Sequence, residues 1–209
     1  DAHGWCHIRP DGTPLTDQRF AWCGNYQEGR CAVRNLEGKY CHLTPEGTPA
    51  YLERYLYAGD FRDGAAVVRC PARGLCTHIT PDGRPLHGQW FIDLDVYHKG
   101  FARARDAGGW FHLDRRGHAA FTTRLASVEP FYNGTAIAES IDGRRLLIDQ
   151  AGRAVLTLSP LPRVGAATSP SVAALIVGNI GSGKSTLAHS LAKQFDWPLL
   201  GIDSCRQQL

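Results

Sequence analysis

Apolar and polar residues alternate in short runs through the first 158 positions, the signature of half-buried strands. Gly109-Trp-Phe-His-Leu113 alternates, Asp114-Arg-Arg-Gly117 supplies a tight turn, and a strand through His118–Phe121 is predicted to follow. Thr135-Ala-Ile-Ala-Glu139 alternates again after Asn133-Gly134, and Asp11-Gly12 and Asp82-Gly83 carry the same hairpin signal. The pattern changes towards the C-terminus. Val172-Ala-Ala-Leu-Ile-Val177 is a continuous apolar run, as in a strand buried on both faces. Leu187, Leu191 and Phe195 then recur at every fourth position beside Ala188 and Ala192, which predicts a helix with one apolar stripe. Pro198 ends that helix, and Leu199-Leu-Gly-Ile202 reads as a second short strand.

The strand signals repeat. Gly4, Gly38, Gly74, Gly109 and Gly143 are spaced by 34, 36, 35 and 34 residues. Gly12, Gly47, Gly83, Gly117 and Gly152 follow at 35, 36, 34 and 35. A third series, Gly29, Gly64, Gly100 and Gly134, keeps the period, with Tyr26, Phe61, Tyr97 and Phe131 each three residues earlier. One period in three series marks a repeat architecture. About three strands per unit are expected, in four full units and a partial fifth.

These units resemble the WG repeat. Phe61-Arg-Asp-Gly64-Ala-Ala-Val-Val68 and Tyr26-Gln-Glu-Gly29-Arg-Cys-Ala-Val33 match the second half of its pattern. The first half departs, with an earlier glycine and His in place of the second aromatic. The resemblance spans residues 3–157 and implies an all-β interaction array with no catalytic residue. The expected fold is therefore mostly β: four to five repeats of about 35 residues, solenoid-like or propeller-like, over residues 1–158. A Pro/Ser/Ala linker over 159–171 follows, then the incomplete start of an α/β P-loop domain over 172–209.

Two further rows recur at the repeat period. His7, His42, His78 and His112 occupy one position, where a repeated half-buried polar slot is the expected role rather than a metal site, because the neighbours Cys6, Cys41, Phe111 and Leu113 are not ligands as a set. Arg19, Arg54 and Arg124 recur beside Phe20, Tyr55 and Leu125, where cation–π or carboxylate pairing within each unit is expected.

The candidate chemistry lies in the last segment. Gly178-Asn179-Ile180-Gly181-Ser182-Gly183-Lys184-Ser185-Thr186 fits G-x-x-x-x-G-K-[ST] between a predicted strand and a predicted helix. Backbone N–H groups of such a loop converge on an anion at a helix N-terminus. Lys184 is expected to reach the β- and γ-phosphates of ATP, and the Ser185 hydroxyl to ligate Mg²⁺. Asp203 falls just past the second predicted strand, 19 positions after Lys184, with Arg206 three further on.

Residues 172–209 resemble the P-loop kinases of small molecules and polynucleotides, including the zeta-toxin-like group, in which Asp-x-x-Arg often follows the second strand. By that resemblance Asp203 takes the proton of an acceptor hydroxyl and Arg206 holds a substrate anion. A helix-capping Asp203 and a solvated Arg206 are the alternative. The loop also looks like that of deoxynucleoside kinases, although Val177 stands where those carry Glu. A complete domain of this type needs roughly 150 residues, so the 38 present are expected to be catalytically incomplete.

Composition narrows the partners. A formal charge of +3 on 209 residues gives no electrostatic case for nucleic acid. No apolar stretch approaches the ~20 residues that span a bilayer. Seven cysteines without a C-x-x-C pair suit thiols in a reducing cytoplasm better than zinc or a disulfide framework. Two functional readings follow: an ATP-dependent kinase carrying a β-repeat module that binds a protein partner, or an ATPase switch or scaffold that recruits a partner through the array.

Overall fold

The computed structural model describes residues 3–158, which fall in one compact unit, Asp1–Leu161. Among the described residues the chain is all antiparallel β, with thirteen strands and no helix. Each unit has the same grammar. Its first strand turns into a central second strand, and a third closes the unit. The four sets are β1 (Trp22–Gln27), β2 (Arg30–Arg34) and β3 (Tyr40–Leu43); β4 (Tyr57–Ala58), β5 (Ala66–Arg69) and β6 (Cys76–Ile79); β7 (Asp93–Leu94), β8 (Phe101–Asp106) and β9 (Gly109–Asp114); and β10 (Leu125–Val128), β11 (Thr135–Ser140) and β12 (Arg145–Asp149). A last strand, β13 (Ala154–Leu158), extends the fourth set. Bridges Tyr40↔Tyr55, Cys76↔Phe91 and Trp110↔Leu125 join each unit to the next, so neighbours in sequence are neighbours in the sheet throughout.

Simple alternation holds in the central strands β8 and β11 but fades in β2 and β5. Ala66, Val67 and Val68 are all buried, as are Cys31, Ala32 and Val33, because core lies on both faces. Small residues recur there because rings fill the space. Two apolar clusters result, one around Phe20, Val33, Leu43, Phe61 and Val68, the other around Phe91, Phe111, Leu125, Phe131 and Ile148.

Three local expectations need correction. First, no strand runs through His118–Phe121. The chain makes one bridge there, Leu113↔Ala119, and then crosses to β10; the residues after the equivalent turn continue as a strand only at β13. The third strand of each unit is instead the first one, which escapes sequence patterning because β4 and β7 are two residues long.

Second, Asp11-Gly12 and Asp82-Gly83 are not two-residue hairpin turns. They belong to longer loops in which, for example, Thr80 N–H donates to Arg84 O at 2.9 Å and Gly83 N–H to Thr80 O at 2.8 Å. This is a turn closed by a left-handed glycine (Gly83 φ 85°), the bulged hairpin type. The two-residue turns are Glu28-Gly29, Asp63-Gly64, Lys99-Gly100 and Asn133-Gly134, where both residues have positive φ.

Third, the Gly4/Gly38/Gly74/Gly109/Gly143 series is two series. Gly38, Gly74 and Gly143 sit in open turns with φ of 81°, 65° and 82°. Gly109 opens β9 and Gly4 precedes the isolated bridge Trp5↔Phe20, at φ 133° and 128°, where a Cβ would lie 2.5 and 2.6 Å from the carbonyl oxygens of Leu125 and Phe20. The spacing held the clue: this series steps by 34, 36, 35, 34 while the second steps by 35, 36, 34, 35.

Candidate functional site

The phosphate-loop residues Gly178–Thr186, with Lys184 and Ser185, and the pair Asp203 and Arg206 lie outside the described residues. The functional geometry available is that of the array, and it begins with the histidine row.

His42, His78 and His112 are fully buried, at 0%, 0% and 1% exposure, rather than half-buried as expected; His7 is partly exposed. In each unit the Nε2–H donates to a backbone carbonyl 17 residues on: His7 to Gly24 at 3.0 Å, His42 to Gly59 at 2.8 Å, His78 to Asp95 at 2.9 Å, and His112 to Glu129 at 3.0 Å. That bond fixes the tautomer and leaves Nδ1 as an acceptor. Tyr51 O–H donates to Nδ1 of His42, and His87 Nε2–H donates to Nδ1 of His78. His87 in turn accepts from the Gln89 N–H, so this pair is satisfied as two neutral rings. Nδ1 of His112 has no partner, because Phe121 stands where Tyr51 and His87 stand.

The aromatics three residues before the third glycine series cover these imidazoles. His78 stacks on Tyr97 with centroids 4.3 Å apart, His112 on Phe131 at 3.7 Å, and His42 meets Phe61 edge-on at 4.6 Å. Burial drives the imidazoles towards neutrality: His78 and His112 are pushed down to about 4, and His42 is lowered as well. Nδ1 of His42 and of His78 is already taken by Tyr51 and His87, and His42, His78 and His112 each lie against a different aromatic, Phe61, Tyr97 and Phe131. Among the described residues no group of three or more His, Cys, Asp or Glu side chains converges on a metal position.

The arginine row splits in its roles. Arg124 does both expected things: its guanidinium lies 3.8 Å over the Phe111 ring and its Nε donates to Asp106 at 2.8 Å. Arg54 instead caps the carbonyls of Leu52 and Glu53, each at 2.9 Å, and Arg19 caps Asp17 O at 3.1 Å. Both brace the loop before the next unit. Another brace runs between turns: the Glu28 carboxylate accepts the N–H groups of Asp63 and Gly64, both at 2.8 Å.

Thiol chemistry is equally muted. No disulfide occurs among the described residues. Burial raises the Cys23 thiol to about 11 and Cys31 to about 12, far from a nucleophilic thiolate at neutral pH.

The surface carries what the interior does not. A cleft of about 610 Å³ opens between β4 and β7, floored by Tyr57, Phe61, Val67 and Leu94 and rimmed by Glu28, Asp60 and Asp95. Glu28 already serves the Asp63 turn and Asp95 is held by Arg103. Beside the cleft lies a row that sequence reasoning missed. Trp22, Arg34 and Tyr40 are cross-strand neighbours, and Tyr57, Arg69 and Cys76 are their counterparts one unit on. Trp22 is 42% and Tyr57 50% exposed. Each ring lies along its own strand over a glycine: a Cβ at Gly24 would meet Trp22 at 2.8 Å, and one at Gly59 would meet the Tyr57 hydroxyl at 3.2 Å. Tyr40 links them, 6.3 Å from Trp22 and 5.9 Å from Tyr57 between centroids. The recurrence of Arg34, Arg69 and Arg105 at 35 and 36 residues was the available signal.

No protein-family model and no curated protein matches the chain. Among solved structures it is similar to BamB from Moraxella catarrhalis, at 14% identity and a TM-score of 0.43, covering 65% of this chain and 51% of that one. It is also similar to KlHsv2 with loop 6CD replaced by a Gly-Ser linker (10%, TM-score 0.45, 69% and 56%) and to the WD40 beta propeller domain of Doa1 (12%, TM-score 0.35, 64% and 52%). The chain thus spans about half the length of the structures it matches. At such identities and scores the likeness says nothing of binding or activity. Among the described residues no helix is long and apolar enough to cross a membrane.

Proposed function

We propose that residues 3–158 form a WG-like protein-interaction module and that it accompanies a nucleotide-binding P-loop segment. The observation that carries the first half is the contrast between interior and surface. Every buried imidazole donates Nε2–H to backbone, while large aromatics and arginines recur on the outside at the repeat period. A surface of that kind serves recognition, since exposed aromatics and arginine are the residues on which interface energy concentrates. Photo-crosslinking from a benzophenone placed at Tyr57 of the full chain, with one at Arg84 as the remote control, tests it. Discrete adducts from position 57 alone are expected; equal labelling from both positions refutes the reading.

The second half rests on sequence alone. Gly178 to Thr186 is the ATP cradle, Lys184 contacts the β- and γ-phosphates, and Ser185 ligates Mg²⁺. Asp203 is the candidate base towards an acceptor hydroxyl and Arg206 the candidate substrate clamp. The kinase reading ranks first on Asp203-Ser-Cys-Arg206; an ATPase switch that recruits a partner through the array is the second. Titration calorimetry of ATP with Mg²⁺ into the chain is expected to give binding that Lys184→Ala abolishes, and unchanged heat in the variant refutes the cradle. In a protein extended beyond Leu209, Asp203→Asn separates kinase from switch: loss of phosphotransfer supports the base. A reducing cytoplasm is the setting that suits this activity, in keeping with the free thiols and the small net charge.

A further inference from the structure

The aromatic–arginine row on the first two units is a built surface. Trp22 and Tyr57 are large, exposed, and held flat by glycines at the second residue after each. Such rings lose little freedom on binding, because they are already fixed by Tyr40 between them. The guanidinium of Arg34 is exposed and makes no hydrogen bond or ion pair among the described residues. Arg69 makes a long contact, 3.5 Å, to Ile92 O and meets the side chain of Cys76, its cross-strand neighbour. One unit further the row stops: Asp93 replaces the aromatic and lies 3.9 Å from Arg105. The third unit thus supplies Asp93 to this cation position; in the first two no carboxylate of the described residues lies within ion-pair distance of the arginine, although Asp93 also acts on Arg69 from farther off.

We infer that the strip Trp22–Arg34–Tyr40–Tyr57–Arg69 docks an extended acidic segment of a partner protein, with apolar or aromatic side chains laid on the rings and carboxylates paired to Arg34 and Arg69. This inference rests on the interaction-module reading and gives that module its ligand chemistry. Ring-to-ring steps of 6.3 and 5.9 Å match the reach of roughly four extended residues. Carboxylate is the complementary charge, and guanidinium binds it as a planar fork. A nucleic acid strand offers stacking faces and negative charge too. It carries a charge at every step, however, and Glu28 and Asp60 stand beside Tyr57; a peptide can lay an uncharged side chain there and keep its carboxylates for Arg34 and Arg69.

The test uses the full chain and a fluorescein-labelled eight-residue peptide of repeated Tyr-Tyr-Glu-Glu, which places both kinds of side chain on each face of an extended strand, read by anisotropy. The repeated Tyr-Tyr-Lys-Lys peptide and a labelled 20-nucleotide oligothymidylate are the comparison probes. Saturable binding of the glutamate peptide is expected, weakened about ten-fold or more by Arg34→Glu with Arg69→Glu and by Trp22→Ala, and within about two-fold of wild type for Arg84→Glu, a remote exposed arginine. Circular dichroism confirms folding; Arg34→Gln with Arg69→Gln, which only neutralises, is expected to fall between. No binding, or equal binding of the lysine peptide, overturns the inference. Glutamate-peptide binding that survives the double substitution overturns the strip while leaving an interaction module elsewhere on the array. Tighter binding of oligothymidylate that the same substitutions abolish overturns the peptide assignment in favour of single-stranded nucleic acid.

Discussion

Adding one oxygen to the molecule tests the histidine row directly. His112 is 1% exposed, spends its Nε2–H on Glu129 O, and buries Nδ1 without a donor. Two units earlier, Tyr51 supplies that donor to His42. The ring pairs are near-superimposable in their internal geometry: His42–Tyr51 centroids are 5.8 Å apart at 65°, and His112–Phe121 5.8 Å at 69°. Packing behind the rings matches as well. Gly83 faces the Cβ and Cγ of Tyr51, and Gly152 the Cβ and Cγ of Phe121, so in both units the far end of the ring points away from the glycine. Phe121→Tyr therefore delivers a hydroxyl to Nδ1 without moving the backbone.

A net hydrogen bond contributes about 0.5–1.5 kcal/mol, and relieving a buried bare acceptor places the gain in the upper part of that range. A stabilisation of about 1 kcal/mol is expected, which raises the melting temperature by about 2–4 °C for a chain of this size. Tyr51→Phe should cost about 1–2 kcal/mol, because it creates the same orphan in the second unit. Urea unfolding at pH 7.5 measures both, with the midpoint read at constant slope. A neutral or destabilising Phe121→Tyr alongside a harmless Tyr51→Phe would refute the claim that ring-to-ring hydrogen bonds brace the units.

Other consequences are sharp enough to measure. Gly109→Ala should destabilise the fold by about 3 kcal/mol or more, since its Cβ would sit 2.5 Å from a backbone oxygen, whereas Gly143→Ala, in open space, should cost only about 1 kcal/mol of left-handed strain. Lys99→Asn should stabilise by a few tenths of a kcal/mol to about 1 kcal/mol, because Lys99 holds φ 51° in a two-residue turn where Asn is at ease; an unchanged urea midpoint contradicts this. Acid should unfold the array before its carboxylates protonate. His78 and His112 titrate near 4 when folded and near 6.5 when unfolded, so the unfolded chain takes up protons first, and stability present above pH 6.5 is lost at about 1.4 kcal/mol per pH unit for each histidine down to pH 4. A urea midpoint constant from pH 7.5 to 4.5 would show that these rings are not buried neutral.

How much of this the residues announced varies with the physics behind each feature. The period was legible because turns demand glycine at fixed places, and Gly29, Gly64, Gly100 and Gly134 all hold positive φ. Turn type was less legible: Asp-Gly favours a two-residue hairpin as a dipeptide, yet Asp82-Gly83 lies in a bulged turn because the pairing partners Ile79 and Pro85 set a longer loop. The first strands β4 and β7 were invisible, since two-residue strands show no alternation. His42 and His78 were recognised as one position, but their carbonyl acceptors at Gly59 and Asp95 carry no side-chain signature at all. The Trp22–Tyr57 strip was hidden because its members come from three strands each.

Backbone accounting explains why histidine fills that slot. In the second unit Gly59 N–H donates to Val67 O at 2.9 Å, just past the two-residue β4; in the third Asp95 N–H donates to Arg103 O at 2.9 Å; in the fourth Glu129 N–H donates to Ile137 O at 2.8 Å. At these points the first strand leaves its central neighbour, and the carbonyls of Gly59, Asp95 and Glu129 turn towards the unit behind. A carbonyl so placed needs a donor, because an unpaired buried polar group costs as much as a lost hydrogen bond. Lysine or arginine would bring a buried charge, and serine is too short to cross from the third strand. A neutral imidazole donates from its far nitrogen, stacks on the aromatic beside it, and carries no charge at neutral pH. The histidine row thus replaces ladder hydrogen bonds where the strands are shortest, which is why it recurs at the repeat period and why its second nitrogen is free to vary between Tyr51, His87 and Phe121.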